Sequence, residues 1–374
     1  MRTIRLLGAL LAAGLVSGCS LFSSSNTAKP AELEQITPAI AGRVVWTARV
    51  DNVKFPLAIA ARGEQFVVAG GDGVVQSLRA SDGQLNWRAD VGQKLSAAVG
   101  SDGRFAAVVT RDNELVLIDS GQVLWRKTLP TPTFAAPLVA GERVFVLTVD
   151  RQVHAFDAQD GRKLWVLRRP GEPLTLAQPG VIGAYKDTLI VGQGARLTGV
   201  DPLQGSVRWE ASIGNARGTN EVERLADLVG PMQRSGEILC ARSFQSALGC
   251  VNAERGSLIW SRNIGGKLGV GGDAKQLFAA DASDRLSAWN IANGDVQWTA
   301  EQFLNRQLTA PLSLGQTVVV GDYEGYVHFV SQETGKTQLR LSTDGSPVAA
   351  TPVALGQTIL VATRNGGLFA MRPE

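Results

Sequence analysis

With two histidines and three cysteines among its 374 residues, the sequence is poor in the side chains that most often act as general bases near neutral pH or bind transition metals. Its two histidines, His154 and His328, lie in alternating apolar stretches, where a half-buried structural role is usual. The sequence contains no H-x-E-x-H motif and no C-x-x-C pair, so the familiar zinc spacings are missing. We therefore predict no metal site, no catalytic residues and no enzymatic activity.

Glycine-rich and nucleophile motifs are the remaining signs of chemistry to consider. The stretch GGDG at Gly70–Gly73 could cradle a phosphate, but no helical pattern follows it, and a hairpin turn explains it better. No G-x-S-x-G motif of a serine hydrolase occurs. The sequence thus predicts no cofactor.

The N-terminus has the pattern of a secretory signal. Two arginines precede the apolar run Leu6–Val16, which is too short to span a membrane, and small residues precede Cys19. Val16–Cys19 resembles a bacterial lipobox, which implies cleavage after residue 18 and lipidation of Cys19; a plain signal peptide is the alternative. In that resemblance Ser20 implies the outer membrane, with the protein anchored on its periplasmic side.

Residues 19–40 are polar, rich in serine and contain proline, which predicts a flexible tether before a domain spanning 41–374. Without Arg2 and Arg5, the 37 basic side chains fall to 35 against 34 acidic ones, a net charge of +1. This balance gives no reason to expect a nucleic-acid partner.

One tryptophan frame recurs along the whole domain. Glycine stands four residues before each frame position, and Asp or Asn usually stands about eight before. The frame positions are Trp46, Trp87, Trp125, Trp165, Trp209, Trp260, Trp298 and Leu339. Their intervals are 41, 38, 40, 44, 51, 38 and 41 residues, a period typical of repeat architectures.

Eight predicted hairpins of β-branched residues lie between the frame positions, and most follow a short segment that can form one more strand. Four strands per repeat predict an all-β, eight-bladed propeller, whose N-terminal strand near Val44–Val50 completes the C-terminal blade. Two packed β-domains are the alternative. Repetition of tryptophan around a ring indicates packing between blades rather than eight ligand sites.

Cys240 and Cys250 are symmetric about the turn of the fifth hairpin, near Gln245–Ser246. Such positions face each other across two strands, so an oxidising periplasm would allow a cross-strand disulfide between them.

The tryptophan frame resembles the docking motif of PQQ-type propellers, a fold that serves enzymes, sensors and scaffolds. Quinoprotein dehydrogenases of that group use a vicinal cysteine pair, whereas Cys240 and Cys250 are ten residues apart. A degenerate quinoprotein or small-molecule sensor stays as the alternative function.

The two longest intervals are consecutive, and they contain insertion one (Arg168–Gly180) and insertion two (Ile213–Pro231). Loops on a rigid scaffold commonly carry binding, and apolar residues among charges suit a protein partner. We therefore expect a protein-docking surface here, with tolerated long loops as the alternative.

Together with the lipobox and the predicted eight-bladed propeller, the stretches NEVERLADL and VVVGDYEGYVHFV make this chain resemble the BamB family of the outer-membrane β-barrel assembly (BAM) complex. That resemblance implies a non-enzymatic scaffold that binds the POTRA repeats of BamA and assists the insertion of unfolded outer-membrane proteins, themselves expected partners. The partner-binding positions it implies are Leu174, Leu176, Arg224, Leu225 and Asp227. The family pattern has arginine where this chain has Ala177, and an acid where it has Val229.

Overall fold

The structure is a computed structural model that describes residues 28–169, 174–215, 219–222 and 224–374. The predicted signal peptide, Cys19 and the first part of the predicted tether lie outside these ranges. No helix with the length and apolar character needed to span a bilayer is present among the described residues.

Eight antiparallel sheets of four strands each make up the described domain, which confirms the predicted all-β, eight-bladed propeller. Strands are numbered in chain order. Blade one contains β2 (Ala60–Arg62), β3 (Gln65–Ala69), β4 (Val74–Arg79) and β5 (Leu85–Asp90). Blade two contains β6 (Leu95–Ser101), β7 (Phe105–Thr110), β8 (Glu114–Asp119) and β9 (Gln122–Thr128). Blade three contains β10 (Leu138–Ala140), β11 (Arg143–Leu147), β12 (Val153–Asp157) and β13 (Lys163–Leu167). Blade four contains β14 (Ile182–Tyr185), β15 (Thr188–Gln193), β16 (Arg196–Val200) and β17 (Val207–Ser212).

The second half of the ring repeats this plan. Blade five contains β18 (Leu228–Ser235), β19 (Ile238–Ser243), β20 (Ala247–Asn252) and β21 (Ser257–Arg262). Blade six contains β22 (Gly271–Gly272), β23 (Gln276–Ala280), β24 (Leu286–Asn290) and β25 (Val296–Ala300). Blade seven contains β26 (Leu312–Leu314), β27 (Thr317–Gly321), β28 (Tyr326–Ser331) and β29 (Thr337–Ser342). Blade eight contains β30 (Val353–Leu355), β31 (Thr358–Ala362), β32 (Gly367–Pro373) and β1 (Gly42–Arg49).

Blade eight closes the ring with strands from both ends of the domain, as the order of the sequence elements predicts. Strand β1 pairs antiparallel with β32, with Gly42 opposite Pro373 and Trp46 opposite Ala370. The first strand of blade one also contacts the first strands of blades two and eight. Closure therefore leaves neither terminal blade with an unpaired neighbour.

The core lies between neighbouring blades, because the middle strands of each blade are apolar on both faces. Strand β7, with the sequence FAAVVT, is buried at every position, and β27 (TVVVG) is equally covered. Phe66 of blade one and Leu360 of blade eight belong to one continuous apolar cluster. Burial of this kind, at about 25 cal/mol per Å² of apolar surface, is the main force that holds the blades together.

Each frame side chain packs against the frame glycine of the next blade. Trp165 of blade three lies on Gly205 of blade four, and its indole Nε1 donates a hydrogen bond to the Pro202 carbonyl at 3.0 Å. A Cβ added to the glycine would lie no more than 3.1 Å from the frame side chain in all eight pairs. The pairs are Trp46–Gly83, Trp87–Gly121, Trp125–Gly161, Trp165–Gly205, Trp209–Gly256, Trp260–Gly294, Trp298–Gly335 and Leu339–Gly42.

The chain from Ala31 to Ile40, which composition predicts as part of a tether, makes hydrogen bonds to blade seven. The Ala31 amide donates to the Leu304 carbonyl and the Ala39 amide to the Gln338 carbonyl, each at 2.8 Å. Arg340 Nη1 donates to the Glu34 carbonyl at 3.0 Å. This part of the predicted tether is therefore held against the propeller.

Candidate functional site

The two insertions lie between blades three and four and between blades four and five. Insertion one follows β13 and leads into β14, and insertion two follows β17. The last residues of insertion two, from Leu228 onward, already belong to β18. In an antiparallel blade, connections from the fourth strand to the next blade lie at the same end as the turn between the second and third strands. Both insertions therefore emerge beside the β11–β12 turn, which carries Arg151.

Arg151 joins the two insertions through its guanidinium group. Its Nε donates to Asp227 Oδ1 at 3.0 Å, and its Nη2 reaches Asp227 Oδ2 at 3.4 Å. The same Nη2 donates to the main-chain carbonyl of Leu174 at 3.1 Å. The side chains of Arg151 and Asp227 are only 14% and 16% exposed, so this two-pronged pair is largely withdrawn from water.

The main chain of the two insertions is also paired at their base. Gly180 and Val229 form an antiparallel bridge, and the Gly230 amide donates to the Pro179 carbonyl at 2.9 Å. Val229 is 2% exposed and contributes to the lining of a pocket between the two insertions. An acidic side chain at this position would be buried, so the Val229 departure from the family pattern matches its place in the fold.

A shallow pocket lies where the insertions meet. Its lining includes Leu147 of blade three, Leu176 of insertion one and Leu228 of insertion two, with Arg151 and Asp227 as its charged members. Apolar walls around a paired charge favour protein contacts over a small charged ligand.

Of the partner-binding positions implied by the resemblance, Leu176 and Asp227 line this pocket, and Leu174 is joined to it through Arg151. Leu174 is 37% exposed, Leu176 and Leu225 are half-buried, and Asp227 is paired with Arg151. Arg224 is half-buried in a turn in which its amide donates to the Asn220 carbonyl at 3.2 Å. The structure thus brings Leu174, Leu176 and Asp227 together.

Arg151 is a residue of this surface that the sequence pattern does not single out, whereas Val222 is one of the apolar residues that the stretch NEVERLADL places among charges. Val222 is the most exposed large apolar side chain of insertion two among the described residues, at 68%. Arg151 belongs to a hairpin turn of blade three, 76 positions before Asp227. Arg151 is marked locally by its place in a turn with φ of 60°, and that feature does not predict its pairing with Asp227.

The two histidines occupy different environments. His154 is buried, burial lowers its pKa, and neither ring nitrogen has a hydrogen-bond partner among the described residues. His328 Nε2 lies 3.0 Å from Asp322 Oδ2, and Arg340 Nε donates to His328 Nδ1 at 3.3 Å. Because Nδ1 accepts a hydrogen bond, this geometry fits a neutral imidazole that donates from Nε2. Burial likewise lowers the pKa of His328, although Asp322 opposes the shift.

His328 belongs to a buried network that also supports the N-terminal segment. Arg306 Nη2 pairs with Asp322 at 2.7 Å, and Arg306 Nη1 donates to the Ala31 carbonyl at 2.9 Å. Burial alone would raise the pKa of Asp322, but the hydrogen bonds from His328 and Arg306 outweigh it and lower that pKa. Charges paired in this way support structure rather than proton transfer.

Metal ligands and cysteines complete the candidates for chemistry. Within the described ranges, no three His, Cys, Asp or Glu side chains come close enough together to hold a metal ion. Cys240 and Cys250 lie directly opposite each other in β19 and β20 and are joined by a disulfide bond, with Cα atoms 4.0 Å apart.

Comparison with known proteins identifies the family of this chain. A family model described as outer membrane protein assembly factor BamB matches residues 71–300. The outer membrane protein assembly factor BamB of Bordetella pertussis is 35% identical over 372 residues, covering 98% of this chain and 96% of that protein. Its counterpart in Burkholderia pseudomallei is 35% identical over 358 residues, covering 94% of each chain. The crystal structure of BamB from Moraxella catarrhalis superposes with a TM-score of 0.81 at 20% identity, covering 89% of this chain and 100% of that one. The chain therefore belongs to the BamB family of outer membrane protein assembly factors.

Proposed function

We propose that this chain is a non-enzymatic scaffold of the BAM complex that binds the POTRA repeats of BamA. Through that contact it assists the insertion of β-barrel proteins into the outer membrane. The names of its relatives, outer membrane protein assembly factors, support the assembly role. The observation that carries the partner contact is the joining of insertions one and two into one surface by Arg151, Asp227 and the Gly180–Val229 bridge.

This surface has the properties of a protein-docking site. Leu174 and Val222 expose apolar side chains from insertions whose bases are fixed to the propeller by main-chain pairing. Exposed apolar groups on a preorganised support lose little conformational entropy on binding, and they gain free energy when a partner covers them.

The predicted lipid on Cys19 would place this surface on the periplasmic side of the outer membrane. Two or more acyl chains would hold the protein there stably, since a single chain binds membranes only marginally. Anchoring would also raise the effective concentration of the propeller beside a partner in the same membrane.

Co-purification from solubilised outer membranes tests the proposed contact. Leu174→Glu combined with Leu176→Glu should abolish recovery of BamA with the tagged chain, because two charges would be placed in the apolar contact. Leu203→Glu combined with Leu258→Glu is the control for two added charges, since these leucines are exposed as Leu174 is but lie on blades four and five away from the insertions.

The control pair should retain BamA. Both doubly substituted chains should keep the tryptophan fluorescence of the parent, and the free energy of unfolding of the control pair should stay within about 1 kcal/mol of the parent value, the effect usual for surface changes. Undiminished recovery of BamA with the Leu174/Leu176 variant would refute the proposed site.

A further inference from the structure

We propose that Arg151 is a positioning residue that clamps insertion one to insertion two, and that the clamped surface binds its partner through apolar contacts rather than through the charge of Asp227. This inference rests on the proposed function, because the partner is the POTRA region named there. It assigns a role to a residue of blade three that lies outside both insertions.

The first argument is that Asp227 is already used within the chain. Both carboxylate oxygens face the Arg151 guanidinium, at 3.0 and 3.4 Å, and the side chain is 16% exposed. Its main-chain carbonyl accepts a hydrogen bond from the Phe244 amide at 2.9 Å. A cation on a partner would have to displace Arg151 and leave that guanidinium unpaired in a partly buried place, which is unfavourable.

The second argument is that Arg151 itself is held in place. Its main-chain carbonyl accepts a hydrogen bond from Gln193 Nε2 of blade four at 2.8 Å. Its side chain reaches insertion one at the Leu174 carbonyl and insertion two at Asp227. One side chain therefore connects the turn of blade three with both insertions. By bonding to the Leu174 carbonyl, Arg151 fixes the main chain at Leu174, whose side chain is exposed.

The third argument concerns where charge is missing. The family pattern places an arginine at the position of Ala177 and an acid at that of Val229, but this chain has an exposed alanine and a buried valine there. With Asp227 neutralised by Arg151, all three positions lack a charge to offer a partner. Leu174 and Val222 are the large apolar side chains that remain exposed in the described parts of the insertions. Affinity carried by such contacts depends weakly on salt.

Charge reversal separates the clamp from a direct contact. Affinity for purified POTRA repeats of BamA is measured by calorimetry for Arg151→Asp, for Asp227→Arg and for the two substitutions combined. Each single reversal should weaken binding about tenfold or more, and the combination should recover part of the loss, because the ion pair is restored with its ends exchanged while the hydrogen bond to the Leu174 carbonyl is not. A partner cation facing Asp227 would be repelled by arginine at that position in both backgrounds, so lack of recovery would overturn the proposal.

Alanine variants and salt give an independent measure. Arg151→Ala and Asp227→Ala should weaken binding to a similar degree, and the double variant should be no weaker than either one. Arg104→Ala, which breaks the Arg104–Asp119 pair of blade two, is the control and should bind as the parent does. Affinity that falls more than about tenfold between 50 and 500 mM salt would indicate binding through charge and would contradict the apolar contact.

The same measurements distinguish failure of this inference from failure of the proposed function. If the parent binds POTRA repeats and the Leu174/Leu176 variant does not, but Arg151→Ala binds normally, the clamp is wrong and the docking site stands. If the parent does not bind POTRA repeats, the proposed function fails and this inference fails with it. A direct readout of the clamp is trypsin cleavage after Arg168 of insertion one, which Arg151→Ala should accelerate several-fold by releasing that segment; Arg169 precedes Pro170 and is not a trypsin site.

Discussion

Adding one methyl group to a frame glycine measures how tightly neighbouring blades are docked. In Gly205→Ala the new Cβ would lie 2.6 Å from ring atoms of Trp165, closer than carbon atoms pack, and the backbone there has φ of +73°. Gly194→Ala in the same blade is the matched control. Its φ is +61°, but nothing lies within 4 Å of the added Cβ.

The two variants share one cost and differ in another. An L-residue in the left-handed region costs about 1–2 kcal/mol in both variants. Both variants also lower the conformational entropy of the unfolded chain, which is a stabilising contribution that cancels when the two are compared. Gly205→Ala alone adds overpacking against the indole, which is about 1–3 kcal/mol in a well-packed region. We therefore expect Gly205→Ala to lower the free energy of unfolding by about 1–3 kcal/mol more than Gly194→Ala does.

Urea unfolding followed by far-UV circular dichroism gives this difference. Because a ring of eight blades need not unfold in a two-state manner, midpoints are compared together with the steepness of the transition. In a Trp165→Ala background the extra cost of Gly205→Ala should disappear, since the ring that the methyl group meets is gone. Equal destabilisation by Gly205→Ala and Gly194→Ala in the parent would refute the docking role of Trp165.

Three further perturbations test other parts of the structure. Unreduced, denatured protein should titrate no thiols at Cys240 and Cys250, and reduction should lower stability by about 3 kcal/mol for a loop of this length; two reactive thiols before reduction would contradict the bond. Burial lowers the pKa of folded His154, so the unfolded chain takes up a proton first and the parent loses stability as pH falls below about 6.5. His154→Phe should make this loss smaller, measured as the difference between unfolding midpoints at about pH 5.5 and 7.5. Arg306→Ala should cost about 3–5 kcal/mol in urea unfolding, because it leaves the buried Asp322 carboxylate without its guanidinium partner; a loss under about 1 kcal/mol would mean that water replaces that partner.

The propeller could be predicted from sequence because its determinants are local and repeat. Glycine four residues before tryptophan is a short spacing from a turn into the strand that follows it, and Gly161 and Gly205 both adopt the positive φ that this turn requires. Alternation and β-branched residues mark the middle strands, and the order of the elements indicates the pairing of β1 with β32. The Cys240–Cys250 pairing was accessible for the same reason, since symmetry about a hairpin turn determines cross-strand neighbours.

The position of the candidate surface could be predicted only in outline. Unequal intervals indicate that insertions one and two depart from the repeat, and the family resemblance points to Leu174, Leu176 and Asp227 within them. Composition predicts a tether up to residue 40, yet Ala31 and Ala39 bond to blade seven, because such contacts depend on carbonyl groups that become neighbours only after folding.

By itself, the sequence determined the strands, their number, the closure of the ring and the two places where the repeat is broken. The strands and the breaks in the repeat depend on spacings within about 50 residues, and closure depends on the order of the elements at the two ends of the domain. Only the tertiary structure decided that the Arg151 turn of blade three meets Asp227, 76 residues later, and that Val229 is buried and bridged to Gly180 of insertion one. The physical reason is that curvature of the ring brings ends of different blades together, and no periodicity along the chain encodes which side chains then come within hydrogen-bonding distance.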